Sequence, residues 1–151
     1  MDCVFELNGK ALSVITCAGM EFPAFSGLGQ YRNKRAFHCR QGGGPLPIGI
    51  YYIVNRPSGG VLGPLRDLWN SRGDWLALYA ADNKIDDETF CNAVRRGQFR
   101  IHPKGPLGIS EGCITLEKTA DFQKLRAFLM SATPVAIPES SLKAYGRVIV
   151  R

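Results

Sequence analysis

Short stretches of alternating apolar and polar residues, separated by glycine, proline or asparagine, occupy most of this chain. Such alternation puts successive side chains on opposite faces of a strand, so each stretch predicts a strand with one buried face. The stretches span residues 4–7, 11–16, 20–25, 46–55, 74–82, 98–102, 113–117 and 145–151. The pattern predicts a mainly β domain of the α+β class, with two or three helices.

Three further segments have helical character. Residues 63–73 end at a glycine, and residues 86–97 begin with acids and end with Arg-Arg-Gly, as the helix dipole and C-terminal capping favour. Residues 119–132 begin with a threonine suited to an N-cap. This third segment places four apolar side chains on one helical stripe: Phe122, Leu125, Phe128 and Leu129.

Length and charge limit the classes of function. A chain of 151 residues fits one domain, predicted to span 1–151, and the net charge of +6 suits an anionic partner such as nucleic acid or a carboxylate-bearing polymer. The basic residues are scattered, without a basic helix or an aromatic RNA-binding pattern, so nucleic acid is not expected. The chain has no apolar run long enough for a membrane span and no basic, apolar start typical of a signal peptide.

The five cysteines leave two redox interpretations open. Their spacings do not match a zinc site, and no metal or cofactor is expected. Four could form two bridges in an oxidising compartment with one thiol left free, or all could be reduced core residues. A two-residue turn at Asn8-Gly9 would put Cys3 opposite Val14, a register that disfavours a Cys3–Cys17 bridge. The cysteines are Cys3, Cys17, Cys39, Cys91 and Cys113.

The segment FRIHPKGPLGISEGCITL, residues 99–116, holds the strongest chemical candidates. His102 stands eleven positions before Cys113, with prolines and glycines between them that allow the chain to fold back. Strand alternation predicts that His102 and Arg100 share one face, and that Cys113 and Thr115 share the corresponding face of the second strand. If the two strands pair in one sheet, these four side chains point outward to a common polar side.

A thiol beside an imidazole is suited to nucleophilic catalysis. The thiolate is the reactive form, and a histidine within hydrogen-bond reach can act as its base. The backbone N–H groups of Gly112 and Cys113 are candidate donors for an oxyanion. The carbonyl of Pro103 can hold the imidazole N–H in one tautomer. The alternative is a buried cysteine and a hydrogen-bonded histidine at the end of a strand, with no chemistry.

The segment HPKGPLGISEGCITL resembles the His…Ser/Thr-x-Gly-Cys signature of the L,D-transpeptidases, and most of all the compact L,D-transpeptidase effectors of type VI secretion systems. FSGLGQYRN is similar to their Tyr-Ser-Gly…Asn segment, and GGGPLPIGIYYI to their Gly-Pro-rich strand. The closing YGRVIV also matches, so the likeness extends from about Phe22 to the last residue.

The resemblance implies a nucleophilic Cys113, a base at His102, and a nucleophile loop shaped by Ser110 and Gly112. The chain departs from the family at three positions. Glu111 stands where many transpeptidases have histidine, Thr115 where they often have arginine or asparagine, and Pro103 where glycine, serine or arginine is common.

The implied reaction is acyl transfer on peptidoglycan tetrapeptide stems, with expulsion of the terminal D-alanine. Water would make the enzyme an L,D-carboxypeptidase, and an amine would make it a transpeptidase or D-amino-acid exchanger. Arg100, Lys104 and Thr115 are candidate contacts for the substrate. The resemblance further implies an antibacterial effector made in the cytoplasm, acting in a target-cell periplasm and paired with an immunity protein.

Two other classes of function are weaker. A non-catalytic wall-binding domain could keep the fold and lose activity, with a misoriented histidine or with Cys113 in a disulfide. A papain-like protease has its catalytic cysteine before its histidine, the reverse of the order His102…Cys113, and the sequence typical of that cysteine is absent.

Overall fold

A computed structural model describes residues 1–55 and 74–151. Its strands follow the alternating stretches of the sequence. They are β1 (Asp2–Phe5), β2 (Ser13–Cys17), β3 (Met20–Phe25), β4 (Gly49–Asn55), β5 (Leu76–Ala80), β6 (Glu88–Cys91), β7 (Val94–Gly97), β8 (Arg100–Pro103), β9 (Ile114–Leu116), β10 (Val135–Ala136), β11 (Lys143–Ala144) and β12 (Gly146–Val150). One α-helix, α1 (Thr119–Met130), and two short 3₁₀ turns complete the described elements. The predicted mainly β, α+β class is confirmed.

Eight strands close into a barrel in the order β1-β12-β4-β5-β8-β9-β3-β2. Most neighbours are antiparallel, but β1 pairs parallel with β12, and β8 pairs parallel with β9. A parallel pair cannot be joined by a tight hairpin, which is why a ten-residue loop, 104–113, links β8 to β9. That loop carries the predicted nucleophile.

The barrel interior holds the main hydrophobic core. Alternate residues of each strand point inward, as period-two patterning requires, and Ile101 and Ile114 are fully buried partners of neighbouring strands. Helix α1 packs Phe122, Leu125 and Leu129 against this core, while Phe128 is only half-buried. The predicted helix is present, but Thr119 is its first residue and not its N-cap, which is Lys118 without a side-chain capping bond.

The helix predicted over residues 86–97 is wrong, because this segment forms the β6–β7 hairpin. Cys91 pairs with Val94, and Asn92 and Ala93 between them both have positive φ angles, 48° and 63°. Two consecutive left-handed residues make a turn whose twist matches paired strands. The acidic and basic residues that were interpreted as complements to a helix dipole lie on the two paired strands. Arg95 donates to Glu88 across the hairpin.

The register predicted for the first hairpin is also wrong. Cys3 lies directly opposite Cys17, and the two form a disulfide. Asn8 does not open a two-residue turn, because its side chain bonds to the carbonyl of Leu12 (3.1 Å) and to the N–H of Lys10 (3.0 Å). These bonds stabilise a wider loop over residues 6–12, which shifts the pairing and brings the cysteines together.

A second disulfide joins Cys39 to Cys91, and Cys113 is free. Of the two redox interpretations, two bridges with one free thiol is therefore confirmed. The helix predicted over residues 63–73 lies outside the described residues. Within the described parts of the chain, no helix is long and apolar enough to cross a membrane.

Candidate active site

The register of β8 and β9 brings the four predicted polar side chains to one face. His102 is the partner of Thr115, and the same register continued one residue before β9 places Cys113 beside Arg100, whose backbone N–H and charge act on the thiol. Ile101 and Ile114, between them, point into the core. The predicted common face is confirmed, but its side chains are not all exposed: Thr115 is fully buried and His102 is 6% exposed.

Contacts on three sides orient the imidazole of His102. Its Nδ1 lies 2.8 Å from the carbonyl oxygen of Pro103. A carbonyl only accepts, so Nδ1 carries the proton and Nε2 is the basic atom. The Thr115 hydroxyl lies 3.3 Å from Nε2 and donates to it. The ring of Trp75 stacks on the imidazole, with centroids 4.2 Å apart and planes inclined by 18°.

The loop before Cys113 is shaped by Ser110 and Gly112. Ser110 is 1% exposed, and its hydroxyl donates to the Cys113 carbonyl at 2.8 Å, which closes a short turn. Gly112 has a φ of +98°, which L side chains rarely adopt. A Cβ at Gly112 would come within 2.8 Å of Arg96 Nη2 and 2.9 Å of the Phe99 ring.

Gly112→Ala should therefore displace the nucleophile loop. We expect a loss of roughly 2–4 kcal/mol of stability, because backbone strain adds to overpacking. Gly105→Ala is the matched control, since no atom lies within 4 Å of a Cβ at that position of the same loop. Thermal unfolding of both variants measures the difference, and equal melting temperatures would contradict the strain argument.

The thiol of Cys113 is half-buried and lies 3.9 Å from the carbonyl oxygen of Gln98. Burial raises the pKa of this thiol to about 11, despite the opposing effect of the backbone N–H and charge of Arg100. Asp87 and Glu111 raise the pKa further. The free protein thus holds Cys113 as a neutral thiol at neutral pH, and a base must remove its proton when it reacts.

Iodoacetamide under non-reducing conditions should label Cys113 alone, because the other four cysteines are in disulfides. Only the thiolate reacts, so with this raised pKa the labelling rate should increase about tenfold per pH unit from about pH 7 to pH 10. Mass spectrometry of the labelled peptides gives the site and the rate. A rate already constant above about pH 8 would show that the thiolate is stabilised in the free protein.

The predicted substrate contacts Arg100 and Lys104 both have acidic partners. Arg100 makes two 2.6 Å hydrogen bonds to the Asp87 carboxylate, and Lys104 pairs with Glu117 at 3.0 Å. The Arg100 guanidinium also acts electrostatically on Cys113. Substrate binding by either side chain stays a prediction.

Arg96 belongs to the site although no motif pointed to it. Its buried guanidinium donates to the carbonyls of His38 (2.6 Å), Gly44 (3.1 Å) and Pro45 (3.1 Å). It also occupies the space that Gly112 leaves open. Arg96 thereby ties the 38–45 loop to the nucleophile loop. The Arg-Arg-Gly ending was interpreted as helix capping, so the sequence held no usable signal for this role.

Among the described residues, one group has donor atoms close enough for a metal ion. His38, Cys39 and Cys91 place one donor atom each within 4.8 Å of one another. The two sulfurs are bonded to each other, so neither offers the thiolate that a metal would need. The adjacent His38-Cys39 pair is thus a disulfide with a neighbouring imidazole, whose Nδ1 accepts a bond from the Ile48 N–H at 3.1 Å.

Comparison with known proteins identifies the family of this chain. No curated protein and no solved structure matches the chain. The family model described as the Tlde1 domain matches residues 20–140, which include β3 to β10, His102 and Cys113. The chain therefore belongs to the Tlde1 domain family of type VI secretion effectors.

Proposed function

We propose that this effector is a cysteine acyltransferase of peptidoglycan that acts on tetrapeptide stems. The observation that carries the proposal is a free thiol, Cys113, on the same sheet face as an imidazole of defined tautomer, His102. The wider His…Ser-x-Gly-Cys resemblance supplies the substrate class. The family supports an antibacterial effector, and such effectors are typically paired with immunity proteins.

The first step forms a thioester. Nε2 of His102 takes the Sγ proton as Cys113 attacks the carbonyl of the third stem residue. Before the reaction, the Thr115 hydroxyl donates to Nε2. Because protonated Nε2 can no longer accept a hydrogen bond, this hydroxyl must turn away when Nε2 takes the thiol proton. The stacked Trp75 ring stabilises the imidazolium that forms, by about 0.5–2 kcal/mol for a cation on an aromatic face.

The leaving group and the second substrate complete the reaction. The imidazolium returns its proton to the amine of D-alanine as the C–N bond breaks, which leaves the acyl group on Cys113. Water then releases a tripeptide, whereas the amine of another D-amino acid or of a second stem gives exchange or cross-linking. Backbone N–H groups of Gly112 and Cys113 are the proposed donors to the oxyanion.

The test is incubation of the protein with purified tetrapeptide muropeptides and mass spectrometry of the products. Loss of one D-alanine shows carboxypeptidase action, an added labelled D-amino acid in the product shows exchange, and dimers show transpeptidation. Pentapeptide muropeptides are the comparison, because their third residue is not followed by a terminal D-alanine. Consumption of pentapeptides as fast as tetrapeptides would reject the L,D assignment, and binding without turnover would favour the non-catalytic wall-binding domain.

A further inference from the structure

We infer that Arg32 binds a carboxylate of the substrate and so selects the stem peptide, an inference that rests on the proposed function. Its guanidinium carbon lies 3.9 Å from the centre of the Phe25 ring. Its Nε atom is buried and has no hydrogen-bond partner. A buried, charged N–H without an acceptor is costly, and a carboxylate bound by the rest of this half-buried guanidinium would place compensating negative charge beside it.

Four other arginines among the described residues have acceptors within the protein. Arg100 pairs with Asp87, Arg147 with Asp2 and Arg95 with Glu88. Arg96 is satisfied by three carbonyls. Within residues 1–55 and 74–151, Arg32 makes no ion pair with a carboxylate, so its charge is available to an anion from outside.

The sheet register links the ring beneath Arg32 to the row that contains His102. Phe25, which carries the guanidinium on its ring, is the antiparallel partner of Thr115. Thr115 in turn is the partner of His102 and contacts its Nε2. Directly paired residues share a face, so Phe25, Thr115 and His102 form one row across three strands on the outer side of the barrel. Arg32 covers the end of that row.

The backbone around Arg32 is held in place by its neighbour Asn33. Asn33 is fully buried with a φ of 55°, and its side chain accepts from the Ser26 N–H (2.8 Å) and donates to the Lys10 carbonyl (2.9 Å). The Ser26 hydroxyl also accepts from the Leu46 N–H at 2.8 Å. The FSGLGQYRN segment thus acts as a rigid support that presents Arg32, which reduces the entropic cost of binding.

A carboxylate is the ligand that this arrangement suits. A guanidinium over an aromatic ring can still donate two parallel N–H···O bonds from its two Nη groups, the geometry that a carboxylate matches. A tetrapeptide stem offers one carboxylate at its C-terminus and others along its length. If Arg32 binds the terminal carboxylate, it selects stems by their length. If it binds an internal carboxylate, it contributes to binding of stems of any length.

The test compares Arg32→Gln and Arg32→Lys with the wild type on a tetrapeptide and on the same peptide with a C-terminal amide. We expect Arg32→Gln to raise KM for the acid about 10- to 100-fold with little change in kcat, and Arg32→Lys to restore part of the loss. Arg40→Gln is the matched control, because Arg40 also covers an aromatic ring, that of Tyr31 at 4.3 Å, yet is exposed. It should leave KM unchanged.

The two substrates separate the sources of the carboxylate. If the variant's defect disappears with the amide, Arg32 reads the terminal carboxylate, and if it persists, Arg32 reads an internal one. Equal KM values for wild type and Arg32→Gln on both substrates would overturn the inference while leaving the proposed function intact. If the wild type shows no turnover, calorimetry can instead measure binding of the tetrapeptide to Cys113→Ala protein with and without Arg32→Gln. Equal affinities of the two proteins, or no binding to either, would again overturn the inference.

Discussion

Cys113→Ala is expected to abolish release of D-alanine from tetrapeptide stems, to below detection, while the protein stays folded. The reason is that no other thiol is free to form the thioester. The fold should survive because the Sγ hydrogen bond to the Gln98 carbonyl is long, at 3.9 Å, and an alanine methyl fits the space of the thiol. Product mass spectrometry and thermal unfolding are the two measurements.

The control for this variant is the pair Cys39→Ser and Cys91→Ser, which removes a disulfide without touching the nucleophile. That double variant should keep measurable turnover, although it loses about 2–4 kcal/mol of stability. A folded Cys113→Ala protein that still trims stem peptides would reject the thiol mechanism altogether.

His102→Gln should lower kcat by at least ~10²-fold, the lower end for loss of a general base. Glutamine can keep hydrogen bonds to the Pro103 carbonyl and to Thr115, so the site should remain assembled while the base is lost. Steady-state kinetics should show kcat falling with little change in KM. The limb of the pH profile that reports the base should also disappear.

His38→Gln is the matched control for the base, because His38 is the chain's only other histidine. It lies beside the Cys39–Cys91 bridge and should leave kcat within about twofold of the wild type. Equal losses in the two variants would mean that His102 acts through stability alone.

Much of the barrel was predictable because most of its strands alternate between apolar core residues and more polar outer residues. Ile101 and Ile114 fixed the direction of His102 and Cys113, and the closing strand around Val148 was equally clear. The β6–β7 hairpin was not predicted because its turn, Asn92-Ala93, contains no glycine, the residue that usually indicates left-handed backbone in a sequence. Charge order alone then favoured a helix.

The parts of the site that were not predictable depend on long-range packing. Trp75 contacts His102 from the position just before β5, and Arg32 contacts Phe25, in the row of His102, from the loop after β3. Neither contact has a local spacing that a sequence reveals. The Cys3–Cys17 pairing failed for a smaller reason, because one asparagine, Asn8, widened the loop by its own side-chain bonds.

The barrel is closed by the pairing of β1 and β12, two strands from opposite ends of the sequence. Asp2 of β1 and Arg147 of β12 are 145 positions apart, yet they pair through two hydrogen bonds. The Leu7 N–H donates to the Arg151 carbonyl at 2.7 Å along the same seam. During synthesis at about 5–20 residues per second, β1 and β4 each have an unpaired edge until β12, which lies between them, has been made. Closure is therefore the last and most non-local event of folding, and loss of the final strand would expose two edges prone to pair with other chains.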